Sequence, residues 1–156
     1  MGQPQFDKLM SEFGAALGIP DMQPDEFGCC CINVGDTAFH VLVSPEGDTV
    51  TVFTEIGELP DDVEPEVLRQ MLAANYFWSG TRGATLGVQP ETGAVVLAQR
   101  LPLESVTVAE LERLMKQFVE VAETGIPGVA GPASEEADGD AAVDEPFPSD
   151  PHSLRV

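Results

Sequence analysis

Apolar residues near the start of the chain recur at intervals of three and four. This spacing is typical of a helix that presents one apolar stripe. Gly18 and Pro20 follow the stripe and are expected to end the helix. We therefore predict a first helix over about residues 4–18. Its apolar positions are Phe6, Leu9, Met10, Phe13 and Leu17.

Alternating apolar and polar residues then predict three strands, in "GCCCINV", "AFHVLVS" and "TVTVFTEIG". Gly35 and Asp36 suit a two-residue turn, so the first two strands should form a hairpin. In that hairpin Cys31 lies opposite His40, and Cys29 shares the same face because side chains in a strand alternate.

The second half of the chain predicts two more helices and a second hairpin. Pro65, among several acidic residues, is expected to start a helix that runs to about Phe77, with apolar residues on more than one side. Two further strands flank the turn "QPETG". Thr107 and Glu110 form a T-x-x-E capping box for the last helix, which Gly125 ends.

The predicted order is α-β-β-β-α-β-β-α, an α+β fold in which three helices pack on an antiparallel sheet. We assign residues 1–125 to this single domain. Residues 126–156 are rich in Gly, Pro, Ala and acidic residues. Such a composition buries too little apolar surface to offset the entropy of ordering, so we predict a disordered acidic tail.

Charge narrows the range of partners. The chain carries 27 acidic and 7 basic residues, a formal net charge of -20. This surface disfavours nucleic acids and anionic membranes, and favours basic segments of a protein partner. We see no targeting segment and no apolar run of about 20 residues that would span a bilayer. The three cysteines are consecutive in sequence and do not have the spacing of a disulfide framework. We therefore expect a reduced, cytoplasmic protein.

No catalytic or cofactor motif accompanies this fold. The glycine-rich "GTRGATLG" follows a helix and has no lysine nearby, so it is not a phosphate-binding loop. No serine lies in a G-x-S-x-G elbow. Cys29, Cys31 and His40 could begin a zinc or thiol site, but a structural zinc ion needs four ligands. We predict a binding protein with no enzyme activity, cofactor or metal, and keep a thiol or zinc protein as an alternative.

Several segments together resemble the class I type III secretion chaperones, the Tir chaperone family. The opening "FDKLMSEFGAALGIP" resembles the first helix and loop of that family. The segment "LAANYFWSGTRGATLGVQPETGAVVLAQRLPLESVTVAELERLMKQFVEVAE" resembles the second half of the fold. The similarity covers roughly residues 4–124. The run of three cysteines and the length of the tail depart from the family pattern.

The resemblance implies a small acidic homodimer in the bacterial cytoplasm. Such a chaperone binds the N-terminal region of a cognate secreted effector, keeps it extended and soluble, and presents it for secretion. The secretion ATPase or export apparatus is then a further partner. An alternative function is regulatory, in which the same dimer sequesters a transcriptional control protein.

Two surfaces follow from this resemblance and from the apolar patterns. The second helix is the better dimer candidate, because its apolar residues extend beyond one stripe: Leu68, Met71, Leu72, Tyr76 and Trp78. The effector is expected to use the first helix and the first strands: Phe6, Leu9, Phe13, Leu17, Phe39, Val41 and Val52. The alternative for both sets is the core, since the same periodicity builds any interior.

Overall fold

The computed structural model describes residues 2–131; Met1 and residues 132–156 lie outside the described part. The three helices are α1 (Gly2–Ala16), α2 (Pro65–Asn75) and α3 (Val108–Thr124). The strands are β1 (Cys29–Val34), β2 (Thr37–Val43), β3 (Thr49–Glu58), β4 (Thr85–Val88) and β5 (Ala94–Pro102). This order confirms the predicted α-β-β-β-α-β-β-α arrangement. No described helix is both long and apolar enough to cross a membrane.

The five strands form one antiparallel sheet in the order β1-β2-β3-β5-β4. The first hairpin has the predicted register, with Cys31 opposite His40. His40 in turn lies opposite Phe53 of β3, and the two rings stack with centroids 4.7 Å apart. The edges of the sheet are therefore β1 on one side and β4 on the other.

The core lies between one face of the sheet and the helices α1 and α3. Phe39 of β2 meets Phe118 of α3 edge to face, with ring centroids 5.7 Å apart. Four of the five predicted apolar positions, Phe6, Leu9, Met10 and Phe13, form the buried stripe of α1, whereas Leu17 follows the helix and is partly buried. The inward residues of β2 and β3 join this stripe. The sequence pattern thus identified residues of α1 that avoid water, because burial of an apolar face stabilises each element.

The second helix ends earlier than predicted. It stops at Asn75, and Tyr76–Trp78 form a 3-10 turn. Phe77 and Trp78 have φ of 47° and 54°, in the left-handed region that bulky side chains rarely adopt. The helical spacing of apolar residues continues through this turn, so periodicity alone could not show that the backbone leaves the helix.

The last helix begins as predicted at Thr107, whose hydroxyl accepts a hydrogen bond from the N–H of Glu110 at 3.2 Å. The Glu110 carboxylate pairs with Arg113, and no bond from it back to the Thr107 N–H is present. Half of the predicted capping box is therefore formed.

The chain does not leave the fold at Gly125. Ile126 and Val129 pack against the core, and the C=O of Ala130 accepts a hydrogen bond from Glu58 at 3.1 Å. A Cβ on Gly128 would lie 2.4 Å from Cγ2 of Val67 on α2. Residues 126–130, here called the strap, thus belong to the domain that was predicted to end at residue 125. The rest of the predicted disordered tail, residues 132–156, lies outside the described residues.

Candidate protein-binding site

The residues predicted to contact an effector lie mostly inside the monomer. Leu9 is 8% exposed and Leu17 is partly buried, while the other five are fully enclosed: Phe6, Phe13, Phe39, Val41 and Val52. Their side chains build the core, as the alternative interpretation held, because one periodicity serves both purposes. Direct contact between these residues and an effector stays a prediction, and in this conformation the five enclosed side chains are not accessible to a partner.

The outer edge of β1 is closed at its start. The N–H of Cys29 donates to the Asp25 carboxylate at 2.9 Å, and its C=O accepts from the N–H of Asp25 at 2.9 Å. Both backbone groups of Cys29 therefore point away from β2. Asp25 occupies them in the place of a neighbouring strand.

The same edge is open further along. Backbone groups alternate in direction along an antiparallel strand, so those of Cys31 and Asn33 also point outward. No hydrogen bond joins these groups to any residue between 2 and 131. Two successive outward residues of β1 thus offer two N–H donors and two C=O acceptors to an added strand.

An apolar groove of about 200 Å³ lies beside this open edge. It is lined by Val34 at the end of β1 and by Met115 and Val119 of α3, with Lys116 and Glu120 at its rim. Val34 faces α3, since it shares the face of Ile32 in the same strand. A strand added to β1 would point alternate side chains toward this groove.

The opposite edge of the sheet is closed at its centre. The N–H of Leu86 in β4 donates to Oδ1 of Asn75 at 2.8 Å, and Nδ2 of Asn75 donates to the C=O of Leu86 at 3.2 Å. One side-chain amide therefore takes both outward groups of this residue. β4 has four residues, and besides Leu86 only Val88 directs its backbone N–H and C=O away from the sheet. The edge at β1 is the longer open one.

Four of the five predicted dimer residues form an exposed apolar surface, here called the α2 surface. The exposed fractions of Leu72 and Tyr76 are both 71%. Leu68 and Trp78 are also exposed, whereas Met71 is 5% exposed and belongs to the core. Met71 turns inward because it lies on the side of α2 that faces the sheet. Dimerisation through the other four residues stays a prediction.

Sequence reasoning missed two members of this surface. Phe77 is the most exposed of the large apolar residues, at 76%, and Val88 lies at the neighbouring edge strand with 41% exposure. Phe77 packs against Tyr76 with ring centroids 4.6 Å apart. The run of three aromatic residues at 76–78 was a usable signal, since a run of this kind cannot all face one core from a regular helix.

The thiols near the open edge are poor nucleophiles. Burial, followed by the Asp25 carboxylate, raises the pKa of Cys29 to about 12 and that of Cys30 to about 11. Burial also raises the pKa of Cys31 and lowers that of His40. The Cys31 Sγ lies 4.0 Å from Nε2 of His40, as the predicted register requires. Within residues 2–131 no three His, Cys, Asp or Glu side chains form a cluster that could hold a metal ion.

The glycine-rich segment between α2 and β4 acts as a connection. Gly80 approaches the end of α2 so closely that a Cβ would lie 2.9 Å from that of Ala74. Gly83 has φ of 99°, which favours glycine. Arg82, between them, forms an ion pair with Glu120 of α3. The segment follows a helix and leads into a strand, as predicted from the sequence, and this strand lies at the edge of the sheet.

Several solved structures with a similar fold are chaperone complexes. The HopA1–SchA chaperone–effector complex matches with a TM-score of 0.65 at 19% identity, covering 80% of this chain and 95% of the other. The ExoT–SpcS complex from Pseudomonas aeruginosa matches at 0.59 and 26%, covering 78% and 97%. The type III secretion chaperone SycH of Yersinia pestis, solved with a YscM2 fragment, matches at 0.62 and 18%, covering 76% and 98%.

The sequence itself matches one family model, described as the Tir chaperone protein (CesT) family, over residues 8–124. No curated protein sequence matches the chain. Together the family model and the chaperone structures confirm the prediction of a type III secretion chaperone, and they do not favour the regulatory alternative. The chain, which spans this fold from α1 to α3, belongs to the Tir chaperone protein (CesT) family.

Proposed function

We propose that this protein acts in the bacterial cytoplasm, where it binds the N-terminal region of a secreted effector and keeps it extended until the export apparatus or its ATPase takes it over. It acts by binding alone, without catalysis. Membership of the chaperone family supports this role. So does the fold it shares with chaperones that were solved in complex with effectors.

The effector segment pairs with β1 as an added strand. The open run at Cys31 and Asn33 is the single observation that carries this assignment. Main-chain hydrogen bonds to an edge strand supply affinity for any extended segment, and side-chain pockets supply selection. The groove beside Val34 receives the apolar side chains of the segment. The predicted contacts Phe39 and Val41 lie in β2, the strand that is hydrogen-bonded to the inner side of β1.

Two copies of the chain associate through the α2 surface. Full burial of an exposed Leu side chain contributes about 1.5–3 kcal/mol, and association itself costs about 4–15 kcal/mol. Leu68, Leu72, Tyr76 and Trp78 each occur twice in a symmetric interface, and the apolar area that they expose is the source of stabilisation that opposes this cost. This surface and the open edge of β1 lie at opposite ends of the sheet. Dimerisation therefore leaves the effector edge free in both copies.

A proline at position 33 tests the assignment. The N–H of Asn33 points away from β2, so Asn33→Pro removes a donor for an added strand without removing a bond to β2. The tagged chain is expressed in its native bacterium, and captured proteins are identified by mass spectrometry. We expect an exported protein with the wild type and with Asn33→Ala, and at least a tenfold loss with Asn33→Pro at unchanged melting temperature.

Two results would count against the proposal. Capture of a transcriptional control protein in place of an exported one would support the regulatory alternative. Equal capture of an exported protein by folded Asn33→Pro would keep the function and remove β1 as the site.

A further inference from the structure

The described basic residues differ in whether they have a partner. Lys8, Arg69, Arg82 and Arg113 each lie within 4.0 Å of a Glu carboxylate. Arg100 donates two hydrogen bonds to the hydroxyl of Thr49. In the described part of the chain, Lys116 is the one cationic side chain with neither an ion pair nor a hydrogen bond.

Lys116, which has no such partner, lies next to the candidate binding groove. It lies on the rim of the apolar groove, beside Met115 and Val119. Two carboxylates lie one helical turn away, those of Glu112 and Glu120, and neither is paired with it. Glu120 is held by Arg82 from the loop before β4. Glu112 lies four residues before Lys116, and no ion pair joins them.

We propose that Lys116 selects an acidic residue in the segment that binds at β1. This inference rests on the proposed function and specifies its ligand: an extended segment with an apolar side chain in the groove and a carboxylate that meets the Lys116 ammonium. The large negative charge of the protein favours basic client segments as a whole. At the groove the preference is reversed because, of its two charged lining residues, Glu120 is already paired with Arg82, and Lys116 has no partner among the described residues.

A strand added to β1 can reach the apolar groove and the Lys116 ammonium with neighbouring side chains on one face. Side chains on one face of the segment lie two residues apart, so one can enter the groove while the next reaches its rim. An ion pair at an exposed rim is weak, and its effect is a preference among segments. The groove and the open backbone groups of Cys31 and Asn33 supply the binding, and Lys116 adds selection.

A random dodecapeptide library displayed on phage is a suitable probe, panned against the full-length protein. Clones that also bind Asn33→Pro are discarded, so that those retained require the β1 edge. We expect these clones to alternate apolar residues and to contain Asp or Glu at a fixed place. For a synthetic peptide of one such clone, replacing its acid by the amide should weaken binding about two- to fivefold.

Charge reversal at position 116 gives the sharper result. Panning on Lys116→Glu should replace the acidic position by Lys or Arg, whereas the matched variant Lys8→Glu, on α1, should select the wild-type pattern. Edge-dependent clones without an acidic position, or with the same position on Lys116→Glu, would overturn the role of Lys116 and leave the β1 site intact. A library that yields no edge-dependent clone would overturn the β1 site together with this inference.

Discussion

The side-chain amide of Asn75, the last residue of α2, makes two hydrogen bonds to the backbone of Leu86 at the edge of the sheet. It accepts from the N–H and donates to the C=O, as a neighbouring strand would. The end of α2 is thereby fixed to β4, directly before the aromatic turn at residues 76–78. One residue thus closes a sheet edge and positions the α2 surface.

Replacement of Asn75 should therefore destabilise the domain. Asn75→Ala leaves two backbone groups of Leu86 without partners, and we expect a loss of about 1–3 kcal/mol in the free energy of unfolding. Asn75→Asp keeps the acceptor and loses the donor, so its loss should be smaller. Urea denaturation measures both. Asn33→Ala is the matched control, since Asn33 is exposed, and an equal change in Asn33→Ala and Asn75→Ala would contradict this assignment.

Charge on the α2 surface should separate the dimer. Leu72→Glu combined with Tyr76→Glu places two carboxylates at residues that are both 71% exposed. Burial of unpaired charge is costly, so we expect monomers by light scattering at an unchanged melting temperature. Ser11→Glu adds a charge on exposed α1 and should remain dimeric. A stable dimer in the double variant would show that the dimer interface is not the α2 surface.

Truncation distinguishes the strap from the tail. A chain that stops after Gly125 loses the packing of Ile126 and Val129 and the bond from Glu58 to Ala130. We expect it to lose about 2 kcal/mol of stability, since these apolar side chains are partly buried. A chain that stops after Gly131 should stay within about 0.5 kcal/mol of the full-length protein. Equal stability of the two truncated chains would show that the strap contributes nothing.

The raised pKa values of the thiols in β1 lead us to expect that the protein loses stability at high pH. The pKa of Cys29 is raised from 9.0 to about 12 and that of Cys30 to about 11. The folded state thus favours the neutral thiol, and this contribution is complete below pH 9.0 and declines as the pH rises toward the folded values. The urea midpoint should be lower at about pH 10.5 than at about pH 8.

Cys29→Ala separates this effect from other groups that titrate in the same range. The variant lacks the most strongly shifted thiol, so its decline between the two pH values should be smaller than that of the wild type. A decline of the same size in both proteins would assign the effect to other residues.

Much of the fold follows from local patterns. The stripe of Phe6 and Phe13 gives α1 correctly, and the turn at Gly35 and Asp36 gives the register that places Cys31 opposite His40. These succeed because helix period, strand alternation and turn chemistry depend on neighbours in sequence. Periodicity did not show that α2 stops at Asn75, because the apolar spacing continues into the turn.

The candidate site was less accessible to such reasoning. Apolar spacing identifies which residues avoid water, but it does not distinguish a core from a surface that a partner covers. Phe6 and Leu72 both fit helical stripes, and one is enclosed while the other is 71% exposed. The difference arises from which elements pack on each face, which is a property of the assembled chain.

The sequence by itself determined the order of elements, the acidic character, the absence of recognised catalytic motifs and the resemblance to a chaperone family. Only the tertiary structure decided that β1 keeps an open edge while Asn75 closes β4, and that the strap belongs to the domain. The physical reason is that hydrogen bonds and burial between distant segments depend on their arrangement in space. Asn75 and Leu86 are 11 residues apart in sequence, and Glu58 meets Ala130 only after α3 has crossed the sheet.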